Sequence, residues 1–170
     1  MRKKICAAFS IITLLFAAGG AYAAGDPEAG KAKSELCQGC HGPDGVSVNP
    51  ECPNLAGQRA GYIFKQVVDF QKSLRNNDTM SPMASMVTDD QDLKDISAYF
   101  ASQKTMAGSR NMFGQSSGSK KVINAGKKLF LEGNPRSGVY GCVNCHGKDG
   151  RGRDPNNHIF PVIGGQMKDY

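Results

Sequence analysis

Two five-residue runs, CQGCH at 37–41 and CVNCH at 142–146, restrict this chain more than any other feature of its 170 residues. Each sets two thiols three positions apart and follows the second directly with an imidazole. In a chain with six cysteines and three histidines, chance does not account for two such runs. The pattern has a covalent logic. Each thiol can add across one vinyl group of a haem, and the next residue's imidazole then falls under the iron. The spacing therefore predicts two covalently bound c-type haems, anchored by Cys37, Cys40, Cys142 and Cys145 and ligated proximally by His41 and His146.

Three other uses of these cysteines compete with that one. A tetrahedral zinc cage would employ all four thiolates, but it leaves both adjacent histidines without a role and must join Cys37 to the distant Cys142. A thioredoxin-like pair needs a βαβ setting, which the pattern does not supply. Plain disulfides suit an exported chain, yet they do not explain why histidine follows both pairs.

Export is legible in MRKKICAAFSIITLLFAAGGAYAAG. Arg2, Lys3 and Lys4 precede an apolar run from Ile5 to Ala18, and Ala21-Tyr22-Ala23 forms a small-residue cleavage site. The run is too short for the roughly 20 residues that span a bilayer, so it reads as a signal peptide cleaved after Ala23, not as a stable membrane insertion. The mature protein is then expected in the periplasm. The net charge is +6, and the leader's three basic residues leave +3 downstream. Without an arginine-rich stripe or aromatic platform, so small an excess argues against nucleic acid as a partner and suits an acidic patch on another protein.

The motifs also expose a repeat. AGKAKSELCQGCHGPDG at 29–45 answers AGKKLFLEG…GCVNCHGKDG at 125–150, and PNLAGQ at 53–58 answers PVIGGQ at 161–166. The expected organisation is a signal peptide (1–23), a first module (24–105), a Gly/Ser-rich linker (106–119) and a second module (120–170).

The first module reads as helical. Asp26 can cap a helix that has Pro27 at its first position. Ile63, Val67, Phe70 and Leu74 form one stripe on a second helix. Thr88 and Gln91 make a capping box for a third, DDQDLKDISAYFASQ, with Leu93, Ile96, Tyr99 and Phe100 facing inward. This core is small, and a large apolar cofactor would make up the shortfall in buried surface. Between the second and third helices NNDTMSPMASMV reads as a flexible loop, where a thioether could complete His/Met coordination. Met80 is the expected distal ligand, ahead of Met83 and Met86, at least one of which fills core space.

The order C-x-x-C-H, P-x-L-A-G-Q, an amphipathic helix, N-D-x-M-x-P-M and D-x-Q-D-L-x-D-I-x-A-Y-F resembles class I c-type cytochromes, and most closely their di-haem periplasmic group, cytochrome c subclass four. The resemblance runs from residue 24 to 170. It implies an all-α fold of two tandem cytochrome c-like modules, whose first and last helices cross at a glycine, here Gly30 against Tyr99 or Phe100. It implies that the Pro53 carbonyl bonds the proximal imidazole. It also implies a soluble electron carrier that makes and breaks no substrate bond, with quinol-oxidising or dehydrogenase complexes as donors and terminal oxidases as acceptors. Lys31, Lys33, Lys65 and Lys72 offer charge for docking them.

The second module departs from this pattern. Counted from Gln166, the counterpart of Met80 falls beyond Tyr170, so the module is expected to be incomplete, as a fragment of a longer di-haem protein or as a short form. In a short form Met167, His158, Met112 or Met106 would be substitute ligands, and an open iron position would favour a haem peroxidase or ligand-binding protein. A haem subunit of a membrane oxidoreductase is the other alternative. Cys52 is expected to behave as a small buried hydrophobe.

Overall fold

Why the first half folds into crossing helices is visible at its start. In the computed structural model, which describes residues 24–104, 119–154, 157–167 and 170, the Asp26 carboxylate accepts from the Glu28 N–H at 2.9 Å and Pro27 opens helix α1, Pro27–Lys33. The leader and most of the expected linker lie outside the described residues. The helix breaks at Ser34, which is fully buried and whose hydroxyl donates to the Lys31 carbonyl. Helix α2, Glu35–His41, restarts there and carries the first motif. Then follow α3, Ala60–Gln71, α4, Met80–Ser85, and α5, Asp90–Ser102.

Helix α5 crosses α1 at Gly30. A Cβ on Gly30 would lie 1.9 Å from the Asp95 carbonyl oxygen and 2.9 Å from the Tyr99 Cβ, so only a glycine lets the backbones approach this closely. The expected partner Tyr99 is there, and the Asp95 backbone is closer still. Ile63, Ile96, Tyr99 and Phe100 form the buried cluster, with Cys37, Leu55 and Val87 packed against it.

Three expectations change. Helix α5 is capped by Asp89, whose carboxylate accepts from the Gln91 and Asp92 N–H groups at 2.8 and 2.9 Å, and not by Thr88. A carboxylate one residue nearer the helix wins the same orphan donors and adds a favourable charge at the positive helix end. Leu74 lies past the end of α3 and is exposed. The methionine segment is a helix, α4, where a flexible loop was expected. Its third residue is Pro82, at a position whose N–H needs no helical partner. Asn77 Oδ1 accepts from the Thr79 and Met80 N–H groups, and Gln71 Nε2 donates to the Ala84 and Val87 carbonyls, pinning α4 to α3.

Asp95 is the buried polar centre of the crossing. It accepts from Lys33 Nζ, from the Asp26 N–H at 2.8 Å and from Gln91 Nε2 at 2.8 Å. The Lys33 bond first, then those from Asp26 and Gln91, hold its carboxyl down at about 2, from an ordinary 3.8. Lys33, bonded to Asp92 and Asp95, is raised. Because the Asp95 value is depressed by folding, its contribution is full above about pH 4 and is lost as pH falls through about 2. An Asp95→Asn variant should melt lower at neutral pH and show a shallower fall in Tm between pH 4 and 2 than the parent. Parallel Tm–pH curves would remove Asp95 from the acid limb.

The second repeat begins with α6, Lys120–Glu132, followed by a 3-10 turn at Pro135–Ser137 and α7, Val143–His146. Among the described residues there is no strand, only an isolated bridge between Asn134 and Val139. The fold is all-α. No described helix is long and apolar enough to cross a membrane.

Candidate haem-attachment sites

His41 closes α2 and is buried, and its Nδ1 lies 2.8 Å from the Pro53 carbonyl oxygen. A carbonyl only accepts, so Nδ1 carries the proton and Nε2 keeps a lone pair for a metal. Burial pushes His41 below the ordinary histidine range, with the Pro53 bond pulling the other way, and the neutral ring is the one that ligates. Cys37 and Cys40 lie one turn apart on the same helix, half-buried and exposed. Burial raises the Cys37 thiol.

The loop that delivers Pro53 is built by its own turns, by the buried Ser47 and by Tyr99 of α5. Gly42 ends α2 at φ 82°, where a Cβ would meet the Val46 carbonyl oxygen at 2.1 Å. Ser47 is fully buried; its hydroxyl donates to the Cys40 carbonyl and its N–H to Asn54 Oδ1. The Leu55 and Ala56 N–H groups both donate to the Gly45 carbonyl. Tyr99 Oη donates to the Pro43 carbonyl at 2.6 Å, joining α5 to this loop.

The second repeat reproduces the arrangement. His146 closes α7 with Nδ1 at 2.9 Å from the Pro161 carbonyl oxygen, and the Ile163 and Gly164 N–H groups donate to the Gly150 carbonyl. Phe160 meets the His146 ring edge-on. Pro161 could have been found from the repeat alone, as the counterpart of Pro53.

A zinc cage does not fit this geometry. The five described cysteines are unpaired, and among the described residues no three His, Cys, Asp or Glu converge as a metal cage requires. A haem does fit. The buried apolar cluster holds only four residues, and a cavity of about 380 Å³ beside Cys145 is lined by Arg59, Arg153 and Phe160 among others. Arg59 Nε is buried there without a partner, as a donor awaiting an anionic group would be; a haem carries two carboxylates.

Met80 opens α4 and is half-buried, as is Met83; Met86 is exposed, which leaves it no part in the core. His158 is exposed, its ring lying over Gly61 of α3. Met167 is half-buried, while Met106 and Met112 lie outside the described residues. Cys52 is half-buried beside Cys40 rather than fully inside. Of the four lysines expected to dock partners, Lys33 is engaged by Asp92 and Asp95, and Lys65 by Asp69.

Helices crossing at a glycine, above an imidazole that a C-x-x-C-H run presents and a proline carbonyl orients, define a class I c-type cytochrome. Residues 27–104 match the family model Cytochrome c. Cytochrome c4 of Thiocapsa roseopersicina is 41 % identical over 147 residues, 86 % of this chain and 71 % of that protein. The crystal structure of reduced recombinant cytochrome c4 from Pseudomonas stutzeri superposes with a TM-score of 0.71 at 37 % identity, covering 85 % of this chain and 75 % of that one. A protein of Stutzerimonas stutzeri described as a thiosulfate dehydrogenase electron acceptor is 33 % identical over 136 residues, 79 % of this chain and 58 % of that protein. The chain belongs to the cytochrome c4 family, and is a di-haem electron-transfer cytochrome with covalently bound c-type haem. The similarities favour neither the peroxidase nor the membrane-subunit alternative.

Proposed function

We propose that this chain is exported, cleaved after Ala23, and works in the periplasm as a carrier that passes electrons between respiratory complexes without itself catalysing a reaction. The observation that carries the reading is the repeated imidazole–proline pair, His41 with Pro53 and His146 with Pro161, each at the end of a C-x-x-C-H helix. A c-type haem supplies reversible one-electron chemistry between ferric and ferrous iron. Cys37, Cys40, Cys142 and Cys145 hold the two haems by thioether bonds, His41 and His146 offer Nε2 to the irons, and Met80 is the distal ligand of the first. The modules run from 24 to 105 and from 120 to 170. A dehydrogenase or quinol-oxidising complex is the donor and a terminal oxidase the acceptor. A relative that accepts electrons from thiosulfate dehydrogenase supports the first of these. Lys31 and Lys72, both exposed, are the lysines of the four with charge to present to an acidic partner.

The intact mass of the protein from its native source, under denaturing conditions, tests cleavage and haem content together. Residues from Ala24 onward plus two haems is the expected mass, falling by one haem in a Cys142→Ser/Cys145→Ser variant. A haem-free mass would sink the proposal.

A further inference from the structure

The two proline loops meet, and they meet symmetrically. Gln58 of the first repeat accepts from the Val162 N–H at 2.8 Å and donates to the Val162 carbonyl at 3.0 Å. Gln166, its counterpart, accepts from the Asn54 N–H at 2.9 Å and donates to the Asn54 carbonyl at 3.1 Å. Asn54 and Val162 are themselves counterparts, each following the proline that holds its repeat's imidazole. Even the next backbone donors match: the Arg59 N–H donates to Gln58 Oε1 and the Met167 N–H to Gln166 Oε1. The contact is a local two-fold, the same patch used from both sides.

Its chemical consequence follows from which amide is involved. The Pro53 carbonyl and the Asn54 N–H belong to one peptide group. His41 Nδ1–H donates to the oxygen of that group, and its N–H donates to Gln166. A hydrogen bond at the amide N–H polarises the group and makes its oxygen a stronger acceptor. A stronger acceptor at Nδ1 raises the basicity of the imidazole toward a metal, which favours ferric iron and lowers the potential. The same chain runs from Gln58 through the Val162 N–H and the Pro161 carbonyl to His146.

We propose that Gln58 and Gln166 are positioning residues that tune the reduction potential of the opposite repeat's haem, through the peptide group whose carbonyl holds the proximal imidazole. This rests on the reading that His41 and His146 ligate iron. It makes each module's potential depend on its neighbour's glutamine, so that loosening the contact raises both.

The test uses the full di-haem chain and the near-isosteric variants Gln58→Met and Gln166→Met. Each removes its glutamine's two bonds across the contact, while the bond from Asn54 Nδ2 to the Gly165 carbonyl at 3.0 Å, which has no counterpart at the Gln58 end, stays in both. Spectroelectrochemical titration, with the haems assigned by NMR, is expected to show a crossed pattern. Gln166→Met raises only the first haem's midpoint and Gln58→Met only the second's, each by about a two- to fourfold change in the ferric-to-ferrous ratio, for a bond weakened by some tens of per cent. In the reduced proteins the Nδ1–H resonance of the opposite repeat's histidine moves upfield and that of the same repeat stays. Tyr170→Phe, which removes the bond donated by Arg75 Nη2 to the tyrosine oxygen away from both prolines, moves neither midpoint. Equal shifts of both haems, shifts within the mutated repeat, or no shift overturns the proposal. Failure of the underlying reading shows separately, as 15N-histidine signals of His41 and His146 without a paramagnetic shift in the oxidised parent.

Discussion

A Met80→Ala variant is expected to lower the midpoint potential of the first haem by a few tenths of a volt, within the roughly 0.8 V that axial ligands command. A thioether favours ferrous iron, and removing it leaves the position to water or to an added ligand. The structure gives Met80 a defined address. Its N–H is held by Asn77 Oδ1 at 2.8 Å at the start of α4, and α4 is tied to α3 through Gln71. The reduced variant should also bind carbon monoxide at the first haem, where the parent does not. Met83→Ala should leave the potential alone and cost about 1–2 kcal/mol of packing, since Met83 is half-buried and its neighbours can close in. The reverse result, with Met83→Ala dropping the potential and Met80→Ala not, would move the ligand along α4.

Gly30→Ala should lower stability sharply. The new Cβ would sit 1.9 Å from the Asp95 carbonyl oxygen and 2.4 Å from its carbon, and backbone in the middle of a helix has no rotamer by which to yield. Helices α1 and α5 must separate, which strains the Asp95 network and opens the cluster around Tyr99 and Phe100. Overpacking of this kind costs about 1–3 kcal/mol, and a clash with backbone belongs at the upper end. For a module of this size about 3 kcal/mol corresponds to a fall in Tm of about 12–24 °C. Gly126, which occupies the matching place in α6, has nothing within 4 Å of the point where a Cβ would stand. Gly126→Ala in the 170-residue chain should therefore be neutral or raise stability by up to about 1 kcal/mol through helix propensity alone. Thermal unfolding followed by circular dichroism compares the two, and equal effects would show that the α1–α5 approach is not what requires Gly30.

Several features were legible from residues alone because their physics is local. Five consecutive side chains suffice to recruit and ligate a haem, so the cofactor was legible without tertiary information, with Cys37 to His41 and Cys142 to His146 the residues proposed to hold it. Asp26 with Pro27 announced α1, and the inward stripe Leu93, Ile96, Tyr99 and Phe100 is one face of a 3.6-residue period. Where neighbouring signals competed, the sequence reading failed. Thr88 and Asp89 are both capping residues, and only the path of the chain decided for Asp89. The methionine segment carries a proline and read as a loop; Asn77 and Gln71 stabilise it as a helix through side chains outside it.

What the tertiary structure alone decided lies in contacts far apart in sequence. Asp95 looks like one more charge on an exposed helix until α1 brings Lys33 and the Asp26 N–H to it. Arg59 belongs to the first repeat, yet it lines the cavity beside Cys145 in the second. Gln58 and Gln166 are unremarked members of a repeated hexapeptide, and nothing in either copy says that each bonds the other's backbone. The sequence by itself determined that the cofactor is c-type haem and pointed to the residues proposed to hold it, because thioether formation and proximal ligation need only neighbours in the chain. How the two sites face one another was decided by folding, because the hydrogen bonds that join them have no sequence period and exist only once two distant loops have been brought together.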